Sequence, residues 1–163
     1  MVKQVYIASA ARTPVGSFQG ALSSMSAPEL GAHSIRASID RASVQDSQID
    51  EVIMGNVVSA GLKQAPARQA MRNAGLPDSC GATTVNKVCG SGMKAIMLAT
   101  DLIKADSGNT IIAGGMESMS NAPYLVQKAR SGLRMGHQQM QDALFLDGLE
   151  DAETGGSMGS FAQ

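Results

Sequence analysis

The chain of 163 residues has the length of one ordinary domain, and 44% of its residues are hydrophobic, which is enough for a core. Its formal net charge of −1 argues against a surface that binds nucleic acid or an anionic membrane. No apolar run approaches the ~18 residues that span a bilayer, and the first residues fit neither a signal nor a transit peptide. Only two cysteines and two isolated histidines are present, so we expect a reduced, cytoplasmic protein with no disulfide framework and no metal site.

The first part of the chain alternates predicted strands with predicted helices. Strands are predicted over residues 2–8, 52–58, 83–88 and 110–113. Helices are predicted after a capping box at Ser26 and Glu29, from Pro66 to just before Gly75, and over residues 91–105. Apolar strands that alternate with helices predict an α/β fold with a parallel sheet covered on both faces.

The remainder of the chain is irregular. From residue 124 basic residues, an acidic stretch and a glycine-rich segment follow one another, and only Met140, Leu144 and Phe145 suggest a helix. An excursion of this length at the edge of a compact domain is unusual, which suggests that the chain continues beyond this sequence. The third predicted helix agrees with that interpretation. Between residues 93 and 99 only Lys94 is polar, so the helix is expected to be buried on all sides.

Cys89 stands between the third predicted strand and the third predicted helix, at the carboxyl edge of the sheet, where open α/β folds bind ligands. Gly90 and Gly92 permit a sharp turn there. The start of a helix favours a thiolate, and its free N–H groups would hold an oxyanion. Most free cysteines are small core residues, so a nucleophile and a structural thiol both remain open on this pattern alone. Cys80, in a loop, is interpreted as structural.

The segment "NKVCGSGMKA" around Cys89 resembles the N-terminal active-site motif of the thiolase family. Three further segments resemble that family in the same order: "SAARTPVGSFQGAL", "GNVVSAGLKQAPARQA" and "AGGMESMSNAPY". "DGLEDA" with the later "SMG" resembles the part of the family's loop domain that lies over acyl-CoA. The likeness runs from residue 2 to about residue 163, and the form of the cysteine motif resembles the biosynthetic, acetoacetyl-CoA branch.

The resemblance implies a thiolase-like layered α/β fold. Residues 1–118 would be the first βαβαβαβ half, which carries the nucleophile, and residues 119–163 the start of the substrate-covering loop domain. In that fold the third helices of two similar halves share a middle layer, which fits the apolar third helix. The family's base, in a Gly-His-Pro motif, and its second cysteine, in a Cys-x-Gly motif, have no counterpart in this sequence. A homo-oligomer, dimer or tetramer, is also implied.

The implied chemistry is acyl transfer through an S-acyl-cysteine on Cys89. Two acetyl-CoA molecules would condense to acetoacetyl-CoA and CoA, or the reverse thiolysis would occur. Acyl-CoA molecules are thus the expected partners, coenzyme A is a substrate or product, and no cofactor or metal is expected. Leu149, Ser157 and Met158 fall where the family lines the acyl and pantetheine path. Ser157 stands where many relatives of this branch carry histidine, which leaves the chain-length preference open.

Two alternatives remain beside this interpretation. One is a thiolase of broader chain length that acts in fatty-acid breakdown. The other is a non-catalytic half-thiolase that binds CoA or a protein partner. Arg130 and Arg134 would meet CoA phosphates or form a solvated surface, and we favour the solvated surface.

Overall fold

The computed structural model describes residues 3–162, and at its centre lies a parallel sheet of three strands. The strands are β1 (Glu51–Gly55), β2 (Gly81–Val85) and β3 (Ile111–Gly115), in the order β2-β1-β3. Both pairings run in parallel over all five residues of each strand, so the three carboxyl ends lie at one edge of the sheet. The central strand β1 is the most buried of the three.

Helices cover both faces of this sheet. Helix α2 (Pro66–Asn73) packs on one face with α1 (Ala27–Ala42) against it, and α3 (Ser91–Lys104) packs on the other face. Side chains of a strand point alternately to the two faces, so Val52 and Met54 lie in the core with α1 and α2. Ile53 instead packs with Ala95 and Ala99 of α3. The predicted doubly covered parallel α/β fold is therefore confirmed.

The capping signals of α1 function as the sequence predicted. The Glu29 carboxylate accepts hydrogen bonds from the backbone N–H and the hydroxyl of Ser26, both at 2.7 Å, and these bonds lower the pKa of Glu29. Ile35 and Ile39 lie on the buried face of the helix. Gly31, one turn earlier, lies so near Met116 that a Cβ atom would come within 2.6 Å of its sulfur. A glycine at this position thus lets α1 approach the segment that follows β3.

The predicted strand over residues 2–8 is wrong for the part that the structure describes. From Lys3 to Ala10 the chain belongs to no hydrogen-bonded strand, and Tyr6 and Ile7 are 79% and 85% exposed. The segment is held at its ends instead. Lys3 Nζ forms an ion pair with Asp106 Oδ1 at 2.8 Å, and hydrogen bonds that involve side chains join the other end to α1. Alternating apolar residues favour a strand, but a strand forms only where a neighbouring strand offers its backbone groups. Val2 lies outside the described residues.

Two other predicted strands are shorter at their carboxyl ends than expected. β1 ends at Gly55 rather than at residue 58, and β2 ends at Val85 rather than at residue 88. The residues removed from the strands form loops at the carboxyl edge of the sheet. The helix predictions hold within one residue for α2 and α3, with Pro66 in the first turn of α2.

The part after β3 is irregular, as predicted. It contains two-residue antiparallel strands, β4 (Tyr124–Leu125) and β5 (Gln141–Asp142), one turn of π-helix over Phe145–Leu149 and a short helix, α4 (Met158–Phe161). Met140 lies outside the turn that the sequence suggested for it. The longest helix described over residues 3–162 has 16 residues, and none has the length and hydropathy to cross a membrane.

Candidate active site

Cys89 lies in the turn between β2 and α3, two residues before the first residue of the helix. Val88 adopts a left-handed conformation with φ +48°, and its N–H donates to the side-chain oxygen of Asn86 at 2.9 Å. The Ser91 hydroxyl closes the turn from the other side, since it donates to the Val88 carbonyl at 2.6 Å and accepts from the Lys87 N–H at 2.8 Å. Hydrogen bonds between side chains and the backbone thus fix the chain on both sides of Cys89, and Cys89 itself is exposed.

Only some of the N–H groups around Cys89 are free to bind an oxyanion, which is the role that the sequence analysis expected of them. The N–H groups of Gly90 and Ser91 already donate to the carbonyls of Lys87 and Val88, at 3.0 and 3.1 Å. These two groups are therefore occupied by the turn itself. An oxyanion beside Cys89 would therefore have to be held by N–H groups other than these two, and that role remains a prediction.

The start of α3 lies directly against the end of β1. A Cβ atom at Gly55 would come within 2.6 Å of the Ser91 Cβ and 2.7 Å of the Ser91 carbonyl carbon. Gly115, at the end of β3, lies 3.5 Å from the Gly92 Cα by the same measure. Glycines at the ends of two strands thus allow the helix that follows Cys89 to reach the carboxyl edge of the sheet.

A cavity of about 380 Å³ opens in front of Cys89 at this edge. Loops after all three strands and the π-helical turn contribute to its lining, which is mostly apolar. The lining includes Val57, Val58, Cys89, Met116, Glu117 and Leu149. Ligand pockets usually combine apolar walls with few polar groups, so the cavity is suited to an apolar group placed next to the Cys89 thiol.

Glu117 is the only carboxylate on the described lining of this cavity. Its two oxygens accept hydrogen bonds from the N–H of Val57 (2.9 Å), the N–H of Val58 (3.1 Å) and Nδ2 of Asn56 (2.7 Å). Burial raises the pKa of Glu117, and the hydrogen bonds it accepts act in the opposite direction. The sequence analysis missed this residue, although an acid in the glycine-rich segment after β3 is a signal that could have indicated it.

Of the residues predicted to line the substrate path, the structure brings one to Cys89. Leu149 lies on the lining of the same cavity. Ser157 and Met158 are exposed and are not on that lining. Ser157 forms an isolated antiparallel bridge with Glu150, the residue that follows Leu149. The contact of Ser157 and Met158 with substrate remains a prediction.

Cys80 is in a different environment from Cys89. It is 2% exposed, in the core beneath α1 and α2. Burial raises the pKa of the Cys80 thiol, and the negative charges of Glu51 and Asp50 raise it further. Its interpretation as a structural residue fits this position, since buried thiols are poorly reactive.

The fold and this site together define an α/β protein with an exposed cysteine at a strand–helix junction. Comparison with known families shows which family of α/β proteins this is. The family profile described as "Thiolase, N-terminal domain" matches residues 5–163, and the chain therefore belongs to the thiolase family.

Individual relatives agree with this assignment. The chain is 52% identical over 163 residues to an acetyl-CoA acetyltransferase of Escherichia coli, covering 99% of this chain and 41% of the relative. It is 50% identical to one of Schizosaccharomyces pombe, covering 98% and 40%. The fold matches the crystal structure of Acat5 thiolase from Ascaris suum in complex with coenzyme A, with a TM-score of 0.93, 43% identity and coverage of 98% and 41%. The chain thus spans about two fifths of the length of these relatives.

Proposed function

We propose that Cys89 is the acyl-accepting nucleophile of an acetyl-CoA C-acetyltransferase. The observation that carries the proposal is the exposed Cys89 side chain on a mostly apolar cavity at the carboxyl edge of the sheet. Two findings support the choice of substrate. Relatives about half identical to this chain are named acetyl-CoA acetyltransferases, and the matched Ascaris suum structure is a complex with coenzyme A.

In the proposed reaction the Cys89 sulfur bonds to the carbonyl carbon of acetyl-CoA, and the CoA thiolate leaves and takes up a proton. A second acetyl-CoA loses a proton from its methyl group, and the resulting carbanion attacks the acetyl-cysteine. Acetoacetyl-CoA forms and the Cys89 thiolate is released. The covalent intermediate divides one difficult step into two easier ones. Leu149 and the two valines after β1 would surround the acyl group, and the proton-transferring groups are expected outside this sequence.

We further propose that residues 119–163 begin a loop domain that lies over the substrate, while residues 1–118 form the half that carries the nucleophile. The position of Leu149 supports this division, because the π-helical turn brings it onto the cavity that Cys89 lines. Leu149 closes one side of the cavity although it follows Cys89 by sixty residues.

The proposed role of Cys89 as the nucleophile is tested with a chimera in which this chain replaces the matched segment of the E. coli relative. The purified chimera is incubated with acetyl-CoA, quenched with acid and mapped by mass spectrometry. We expect one acetyl group on the peptide that contains Cys89 and none on the peptide that contains Cys80. A folded chimera without acetylation at Cys89, or with acetylation elsewhere only, would contradict the proposal.

Thiol reactivity should differ between the two cysteines in the chimera. With limiting iodoacetamide at neutral pH, we expect Cys89 to be labelled before Cys80. Cys89 is exposed, whereas Cys80 is buried and its raised pKa leaves less thiolate. Peptide mapping over time measures both rates in one sample. Faster labelling of Cys80 in the folded protein would be inconsistent with the assigned roles, and equal labelling in urea serves as the control for intrinsic reactivity.

Ser157 should influence the acyl-chain preference. It pairs with Glu150, the residue after Leu149, and a histidine there would add an imidazole ring next to the turn that carries Leu149. We expect the chimera to accept 3-ketoacyl groups longer than acetoacetyl better than its Ser157→His variant does. The change should be graded, since one methylene in an apolar pocket contributes about 1–3 kcal/mol. The measurement is kcat/KM over a series of chain lengths. An unchanged profile would make Ser157 a neutral difference and remove the support for a thiolase of broader chain length.

A further inference from the structure

We propose that Glu117 is a positioning residue that sets the width of the Cys89 cavity and thereby the size of group that Cys89 accepts; its consequence for acyl groups rests on the proposed function. Glu117 follows β3 by two residues, whereas Val57 and Val58 lie in the loop after β1. All three line the cavity in front of Cys89. One carboxylate therefore joins two of the segments that enclose the space where an acyl group would bind.

The contacts of Glu117 fix the loop after β1 at three consecutive residues. One carboxylate oxygen accepts the Val57 N–H at 2.9 Å, and the other accepts the Val58 N–H at 3.1 Å and Asn56 Nδ2 at 2.7 Å. Asn56 is buried, and its Nδ2 also donates to the carbonyl of Met116 at 3.3 Å. Hydrogen bonds to an ionised acceptor are the stronger ones in proteins, so this arrangement fixes the loop firmly.

The loop in turn supports the opposite side of the cavity. A Cβ atom at Gly148 would lie 3.3 Å from a methyl carbon of Val58, so the π-helical turn packs directly against that side chain. The next residue of the turn is Leu149, which lines the cavity. A shift of the Val58 backbone therefore moves the Val58 side chain on one side of the cavity. It also moves the surface against which the turn with Leu149 packs on the other side.

The same chain offers a matched control at the other edge of the sheet. The Asp50 carboxylate accepts the N–H groups of Asn109 and Thr110, at 2.6 and 3.0 Å, and thereby fixes the turn before β3. Like Glu117, it joins loops next to β1 and β3. None of these three residues lines the Cys89 cavity. Loss of the Asp50 carboxylate removes two hydrogen bonds from backbone N–H groups, against three hydrogen bonds at Glu117, and does so away from the residues that line the cavity.

The experiment compares Glu117→Ala, Glu117→Gln and Asp50→Ala in the chimera. The rate of alkylation at Cys89 is measured by peptide mapping with iodoacetamide and with the bulkier N-ethylmaleimide and N-benzylmaleimide. Without the carboxylate, water must satisfy the N–H groups of Val57 and Val58, and the wall moves outward. We expect the ratio of bulky to small reagent rates to rise roughly tenfold in Glu117→Ala, since room for one methylene group in an apolar pocket changes rates by about 10- to 200-fold.

The Glu117→Gln variant keeps one acceptor oxygen and should give a smaller rise, while Asp50→Ala should leave the ratio unchanged. An unchanged ratio in Glu117→Ala, or an equal change in Asp50→Ala, would overturn the proposal. If circular dichroism shows that Glu117→Ala does not fold, Glu117→Gln decides by the same criterion.

Alkylation of Cys89 requires no acyl transfer, so this experiment is separate from the test of the proposed function. A chimera that shows the ratio change but never acetylates Cys89 would contradict the proposed function alone, and acetylation without the ratio change would contradict the role of Glu117 alone.

Discussion

Replacement of Cys89 by serine is expected to lower the thiolysis of acetoacetyl-CoA by the chimera by at least roughly a thousandfold, as the loss of a catalytic nucleophile does in other enzymes. The hydroxyl of serine is a far weaker nucleophile than a thiolate. The exchange alters little volume, and the hydrogen bonds of the turn come from Asn86, Lys87 and Ser91 rather than from the cysteine side chain. The fold should therefore survive the loss of activity.

The matched variant for this prediction is Cys80→Ser. Cys80 is buried in the core and contributes no surface to the cavity, so this variant should keep its turnover although it loses some stability. Release of free CoA gives the rate, and thermal unfolding gives the stability of each variant. Substantial turnover in Cys89→Ser, or equal loss of turnover in both variants, would show that Cys89 is not the nucleophile.

The chain without any added partner is expected to be inactive and to associate with itself. The outer face of α3 exposes Met93, Ile96 and Met97 to 72%, 50% and 53%. At about 25 cal/mol per Å² of apolar surface, leaving several such side chains in water forfeits several kcal/mol, which is comparable to the stability of a whole domain. Polar residues on this face should therefore reduce self-association of the isolated chain. They should lower the free energy of unfolding of any assembly that covers the face.

The double variant Met93→Gln and Met97→Gln tests this expectation in both settings. In the isolated chain it should reduce self-association, measured by light scattering. In the chimera it should lower the free energy of unfolding by roughly 2–5 kcal/mol, because the two side chains would be covered there. Met135→Gln is the matched control, since Met135 is 92% exposed in an irregular segment and should be neutral in both. A monomeric isolated chain that melts cooperatively and turns over substrate would contradict the expectation.

The sequence predicted the position of Cys89 because the signals for it are local. Apolar residues end at Val85, glycines follow at Gly90 and Gly92, and an apolar helix begins at once, so the junction of strand and helix is visible within ten residues. The apolar character of α3 on all sides was visible for the same reason, but the burial on all sides expected from it is not found in this structure. Its inner residues Ala95 and Ala99 are buried, and its outer residues are equally apolar but exposed.

Local patterns by themselves determined the helices α1 to α3, the parallel α/β class and the family, because caps, periodicity and motifs each lie within a few neighbouring residues. Tertiary structure alone decided three features. It left Tyr6 and Ile7 outside the sheet, because a strand exists only where another backbone pairs with it. It placed Leu149, but not Ser157, on the cavity. It joined Glu117 to Asn56 across sixty-one positions of sequence, because which buried donors meet a carboxylate depends on the packing of distant loops.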